Sequence, residues 1–128
     1  MTRLRPRYPL RMQALPGSVA AVLIDRFRLE GRVAVITGAG RGIGAGCARA
    51  FAEAGADVAI TARTEEQLEA VAAEVRGLGR RALVFPGDVN DLDVLDRFVD
   101  ATMAEFGRLD VVVNNAGGSM PRPLLDTW

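Results

Sequence analysis

The chain has 128 residues, 49% apolar and 25% charged, enough for one domain with a real core and too apolar for a disordered chain. It has no His, and all 16 basic residues are Arg, so these residues cannot supply an imidazole base, a Schiff-base lysine, a His metal ligand or a P-loop lysine. Net charge is zero but uneven: residues 1–28 carry six Arg against Asp25, a net +5, and residues 29–128 carry ten Arg against fifteen acids, a net −5, which argues against a nucleic-acid footprint.

Residues 1–27 read as a poorly ordered basic leader. Arg3, Arg5, Arg7 and Arg11 alternate with Leu4, Pro6, Tyr8 and Pro9. The charge-free span from Met12 to Ile24 is too short to cross a bilayer, so no membrane partner is expected. Ser18-Val19-Ala20 has the small-residue spacing of a signal cleavage site, but the apolar stretch before it is short and holds Pro16. An extension or an upstream start codon is the preferred reading. The single cysteine, Cys47, allows no internal disulfide and no CxxC metal site, which fits a reducing, cytoplasmic setting.

Short β-rich runs then alternate with helical patterns. Val33 to Thr37 predicts the first strand. Ile43, Cys47, Ala50, Phe51 and Ala54 recur at helical spacing before Gly55. Asp57 to Ala62 predicts the second strand. Thr64 and Gln67 have the spacing of a capping box for a helix lined by Leu68, Val71, Ala72, Val75 and Leu78. Ala82 to Phe85 predicts the third strand. Asn90 or Asp91 caps a helix bearing Leu95, Phe98, Val99, Thr102 and Phe106, which Gly107 ends. Leu109 to Val113 predicts the fourth strand.

The strands are apolar on both faces, as in a parallel sheet covered by helices on two sides. Repeated βα units predict an α/β, Rossmann-type doubly wound parallel sheet of strand order 3-2-1-4. Ligands of such sheets sit at the carboxyl ends of the strands, beside the switch between strands 1 and 4. The two most glycine-rich strand exits fall there: Gly38-Ala39-Gly40-Arg41-Gly42-Ile43-Gly44 and Asn114-Asn115-Ala116-Gly117-Gly118. Glycine backbone admits a pyrophosphate closely, and a helix N-terminus favours its charge.

Thr37-Gly38-Ala39-Gly40-Arg41-Gly42-Ile43-Gly44 resembles the T-G-x-x-x-G-I-G loop of short-chain dehydrogenases/reductases, and Asn114-Asn115-Ala116-Gly117 resembles their N-N-A-G motif. Asp88-Val89 stands where that family has an adenine-contacting pair. The resemblance runs from about Arg28 to the end, so residues 28–128 read as the N-terminal half of an NAD(P)-binding domain. It implies a dinucleotide cofactor and hydride transfer between nicotinamide and an alcohol or carbonyl. By the same resemblance, the loop around Gly38, Gly42, Ile43 and Gly44 holds the pyrophosphate. Asp88 and Val89 meet the adenine, and Asn115, Ala116 and Gly117 line the adenosine ribose side. Asn114 is expected to stitch the sheet centre.

Cofactor preference is read at the end of the second strand, where an NAD-binding domain carries an acid. Ala62 holds that position here and Arg63 follows, with Arg41 inside the glycine loop. Guanidinium groups attract a 2′-phosphate and bind it bidentately, so NADP(H) is expected over NAD(H).

The family's Ser, Tyr-x-x-x-Lys and later Asn are not in these residues. The single tyrosine, Tyr8, is followed four positions on by Met12, and the serines are Ser18 and Ser119. No catalytic residue is assigned; the expectation is a cofactor-binding fragment, silent alone, with a non-catalytic NADP(H)-binding sensor or scaffold as the alternative. A bare edge at the fourth strand and an incompletely covered last helix (Leu95, Phe98 or Phe106) are expected to drive self-association.

Overall fold

The computed structural model describes residues 25–118; the expectations for residues 1–24 and for Ser119 lie outside them. The described residues form β1 (Val33–Thr37), α1 (Gly42–Glu53), β2 (Asp57–Ala62), α2 (Glu65–Gly77), β3 (Ala82–Pro86), α3 (Leu92–Phe106) and β4 (Val111–Val113). The four strands make one parallel sheet in the order β3-β2-β1-β4. In register, Thr37 lies beside Thr61, Ile36 beside Val113 and Ala62 beside Pro86. This is the Rossmann-type arrangement, and it brings all four strand exits to one end.

Period-two alternation sends Ala34, Ile36, Val58 and Ile60 to one face. There they meet Ala45, Ala48 and Ala52 of α1 and Leu68, Val71, Ala72 and Val75 of α2. Val35 and Ala59 point to the other face, where Phe98 of α3 covers them beside Leu83 and Phe85. The Phe85 and Phe98 rings sit 5.3 Å apart, a tilted pair.

Three local expectations need correction, and a fourth, the cap of α3, is narrowed to one residue. The inner face of α1 is only partly the expected one: Cys47 and Phe51 pack against the core, but Ile43 is 78% exposed and Ala50 is exposed, while Gly44, Ala45, Ala48 and Ala52 are buried. Small residues let this helix lie close to the sheet, which a pattern of bulky side chains cannot reveal. Thr64 precedes α2 but makes no side-chain cap bond, so the capping box with Gln67 does not form. On α3 Phe98 is buried while Leu95 and Phe106 are half-buried, and Leu92, Val99 and Met103 are the exposed large apolar residues. Asp91, rather than Asn90, caps α3, its carboxylate accepting the Asp93 N–H at 3.0 Å.

The fourth strand begins at Val111, two residues later than its apolar run. Asp110 forms a clamp ahead of it: its N–H donates to the Val33 carbonyl and its Oδ2 accepts the Val33 N–H, both at 2.9 Å. Arg108 and Arg32 also donate to that carboxylate. The Arg108 bonds first, then the Val33 N–H and Arg32, hold the Asp110 carboxyl well below the usual carboxylate range. Among the described residues β4 lies at the edge of the sheet, and Val112 is 53% exposed.

Candidate functional site

The four strand exits enclose a cleft of about 970 Å³, at the upper end of the range for small-molecule sites. Gly38, Gly40, Arg41, Gly42 and Ile43 line it from the β1 exit, and Ala62, Arg63, Thr64 and Gln67 from the β2 side. Gly87, Asp88, Val89 and Asn90 come from the β3 exit, and Asn115, Ala116, Gly117 and Gly118 from the β4 exit.

Close packing at the switch point sets the floor. Gly38 has φ +65°, and a Cβ built on it would stand 2.8 Å from Ala116 Cα. A Cβ on Gly44 would stand 2.3 Å from the Gly38 carbonyl oxygen and 2.6 Å from Asn115 Nδ2. No side chain fits at either position. Of the residues expected from the sequence to contact the cofactor, Gly44 alone is absent from the cleft wall; it is buried beneath the wall and holds the β1 and β4 exits together.

Polar bonds fasten the same junction. Thr37 Oγ1 accepts the Asn115 N–H at 3.1 Å and the Ala116 N–H at 3.0 Å. Asn115 Nδ2 donates to the carbonyls of Thr37 at 3.1 Å and Gly38 at 3.3 Å. The stitching residue is therefore Asn115, not Asn114, which is exposed and lies off the cleft wall.

The N-terminus of α1 opens on this cleft with no acidic residue in its first turn, and Arg41 makes no side-chain cap bond there. Free N–H groups and the helix dipole favour an anion at such an end. Arg28, Arg32, Arg49, Arg76, Arg80, Arg81 and Arg108 all pair with carboxylates. Arg41 and Arg63 pair with no carboxylate among the described residues, and both stand on the cleft wall. Ala62 leaves no acid beside them. Asp88 is the one carboxylate on the wall among the described residues; its Oδ1 accepts the backbone N–H and the Nδ2 of Asn90, which shapes the β3 exit.

Thr64, Gln67, Gly87 and Asn90 also line the wall and are not among the residues the sequence points to. For Gln67 a signal exists: it falls in the first turn of the helix that follows Arg63. A cleft with a glycine-lined floor, a helix N-terminus and guanidinium groups on its wall has the chemistry to take an anionic ligand. Among the described residues no group of His, Cys, Asp and Glu could hold a metal ion, and no helix is long and apolar enough to cross a membrane.

Comparisons with known proteins agree with this geometry. The family model for short chain dehydrogenase matches residues 32–127. An uncharacterized oxidoreductase of Mycobacterium tuberculosis is 50% identical over 106 residues, covering 83% of this chain and 40% of the relative. A short-chain type dehydrogenase/reductase from Mycobacterium marinum superposes with a TM-score of 0.76 at 42% identity, over 81% of this chain and 42% of that one. A metagenomic short-chain oxidoreductase in complex with NADP does so with a TM-score of 0.67 at 46% identity, over 70% and 41%. The chain spans about two fifths of the length of the oxidoreductase relative it matches. With the family model covering most of its length, the chain belongs to the short-chain dehydrogenase family of oxidoreductases.

Proposed function

We propose that this chain supplies the NADP(H)-holding part of an oxidoreductase that moves hydride between the nicotinamide and an alcohol or carbonyl. The observation that carries the reading is the pair Arg41 and Arg63: two guanidinium groups without acidic partners among the described residues, flanking a β2 end that bears Ala62 where an acid would repel a 2′-phosphate. Gly38, Gly42, Ile43 and the α1 N-terminus would hold the pyrophosphate, with Gly44 fixing the loop beneath. Asp88 and Val89 would meet the adenine, and Asn115, Ala116 and Gly117 would border its ribose. When bound, the cofactor supplies the hydride chemistry. The residues described here bind, orient and select it.

Direct titration of NADP+ and NAD+ against the purified chain tests the proposal. Tighter binding of NADP+ is expected; equal or tighter binding of NAD+ would overturn the preference, and binding of neither would overturn the cofactor role.

A further inference from the structure

Gln67 stands in the first turn of α2, four residues after Arg63, and lines the cleft. Because Thr64 makes no cap bond, Gln67 is not drawn into a reciprocal cap. Its side chain lies instead across the notch against Gly40. A methyl group on Gly40 would stand 3.1 Å from Gln67 Cβ, 3.1 Å from its Oε1 and 3.5 Å from Ala62 Cβ. Gly40, Ala62 and Gln67 are therefore one continuous surface joining the β1 and β2 exits, with Arg41 and Arg63 beside it on the cleft wall.

The chemistry of this turn is asymmetric. Glu65 and Glu66 come immediately before Gln67 and stay off the cleft wall, while the position that faces the cleft carries a neutral carboxamide. A carboxamide can offer an N–H donor to a phosphate oxygen, whereas a glutamate of the same size would offer acceptors only and cancel one of the two nearby positive charges.

We propose that Gln67 is a specificity-determining residue, its carboxamide donating to the ribose 2′-phosphate beside Arg41 and Arg63. The inference rests on the NADP(H) reading above and adds to it a third, uncharged contact.

Binding constants for NADP+ and NAD+ with wild type, Gln67→Met and Gln67→Glu test it, with circular dichroism to verify folding. Gln67→Met keeps the length that packs on Gly40 and removes the polar head, so it should weaken NADP+ by about threefold to tenfold. Gln67→Glu is isosteric and charged, and should weaken NADP+ by more than about tenfold. NAD+ affinity should stay within about twofold for both variants. Unchanged NADP+ affinity in Gln67→Glu, or equal losses for both cofactors, would overturn the role of Gln67 while leaving the preference of the wild type standing. A wild type that does not prefer NADP+ would overturn the cofactor reading and this role together.

Discussion

Thr37 and Asn115, 78 positions apart, are joined by two hydrogen bonds running in the same direction: the Asn115 N–H donates to the Thr37 hydroxyl and the Asn115 side chain donates to the Thr37 carbonyl. The end of the first strand and the exit of the fourth are thereby one rigid corner, and the cleft floor is built on it.

Thr37→Val tests that corner. Valine keeps the shape but leaves the N–H groups of Asn115 and Ala116 without the hydroxyl acceptor. Loss of such an acceptor at a part-buried site costs roughly 1–3 kcal/mol. Denaturant unfolding should show that loss, and NADP+ binding should weaken as the two exits separate. A variant as stable as wild type would mean that the corner is held without the hydroxyl, by the Asn115 side-chain bonds and the glycine packing.

Arg63→Ala removes a guanidinium from the cleft rim without touching the sheet. The loss of a charge-assisted contact, roughly 1.5–3 kcal/mol, predicts NADP+ affinity lower by tenfold to a hundredfold. NAD+ affinity should hardly move. Parallel titrations decide it, and an equal drop for both cofactors would place Arg63 on a group they share.

Thr61 offers the opposite case. Its Oγ1 is fully buried and finds no partner among the described residues. Thr61→Val exchanges a stranded hydroxyl for a methyl of the same shape, and stability should rise by roughly 1 kcal/mol. A clear destabilisation in urea would show that an ordered water satisfies the hydroxyl.

Asp110 contributes to the acid side of the stability curve. Its carboxyl titrates lower in the folded chain than in the unfolded one, because Arg108, the Val33 N–H and Arg32 all favour the charged form. Its contribution is therefore complete above the unfolded carboxylate pKa of about 4 and is lost as pH falls through and below that range. Glu74, held low by Arg49, adds in the same direction. Melting temperatures of wild type and Asp110→Asn should differ at neutral pH and converge towards pH 2; a constant gap would exclude the clamp as the cause.

Val112 at the sheet edge and Met103 and Val99 on α3 expose apolar surface. The purified chain is expected to self-associate and to bind a hydrophobic dye, and Val112→Lys should reduce both, since charge on an edge strand opposes pairing. A monomer at high concentration with no dye binding would contradict this.

Much of this was readable from residues, for identifiable reasons. β1 and β2 are apolar runs bounded by glycine or helix signals, and their ends match the expectation residue for residue. The order β3-β2-β1-β4 follows from repeated crossovers of one hand. The misjudged parts depend on distance rather than on composition. That α1 turns Gly44, Ala45, Ala48 and Ala52 inward follows from how near it comes to the sheet. The position of Gln67 follows from the missing side chain at Gly40, and nothing local to Gln67 says so. Asn114 and Asn115 are chemically identical, and only the direction of the chain after Val113 tells which one reaches Thr37.

The contact of Gly38 with Gly44 and Ala116 has a consequence for how this cleft could change over generations. Its floor is made of main-chain atoms in contact, so nearly any replacement there adds atoms where none fit and damages the scaffold itself. Its rim is made of exposed side chains, Arg41, Arg63 and Gln67, which can be exchanged singly with little cost to folding. The two layers therefore differ in how freely they can vary: the floor is tied to the survival of the fold, while under the proposed function the preference between the two nicotinamide dinucleotides would stay open to single mutations.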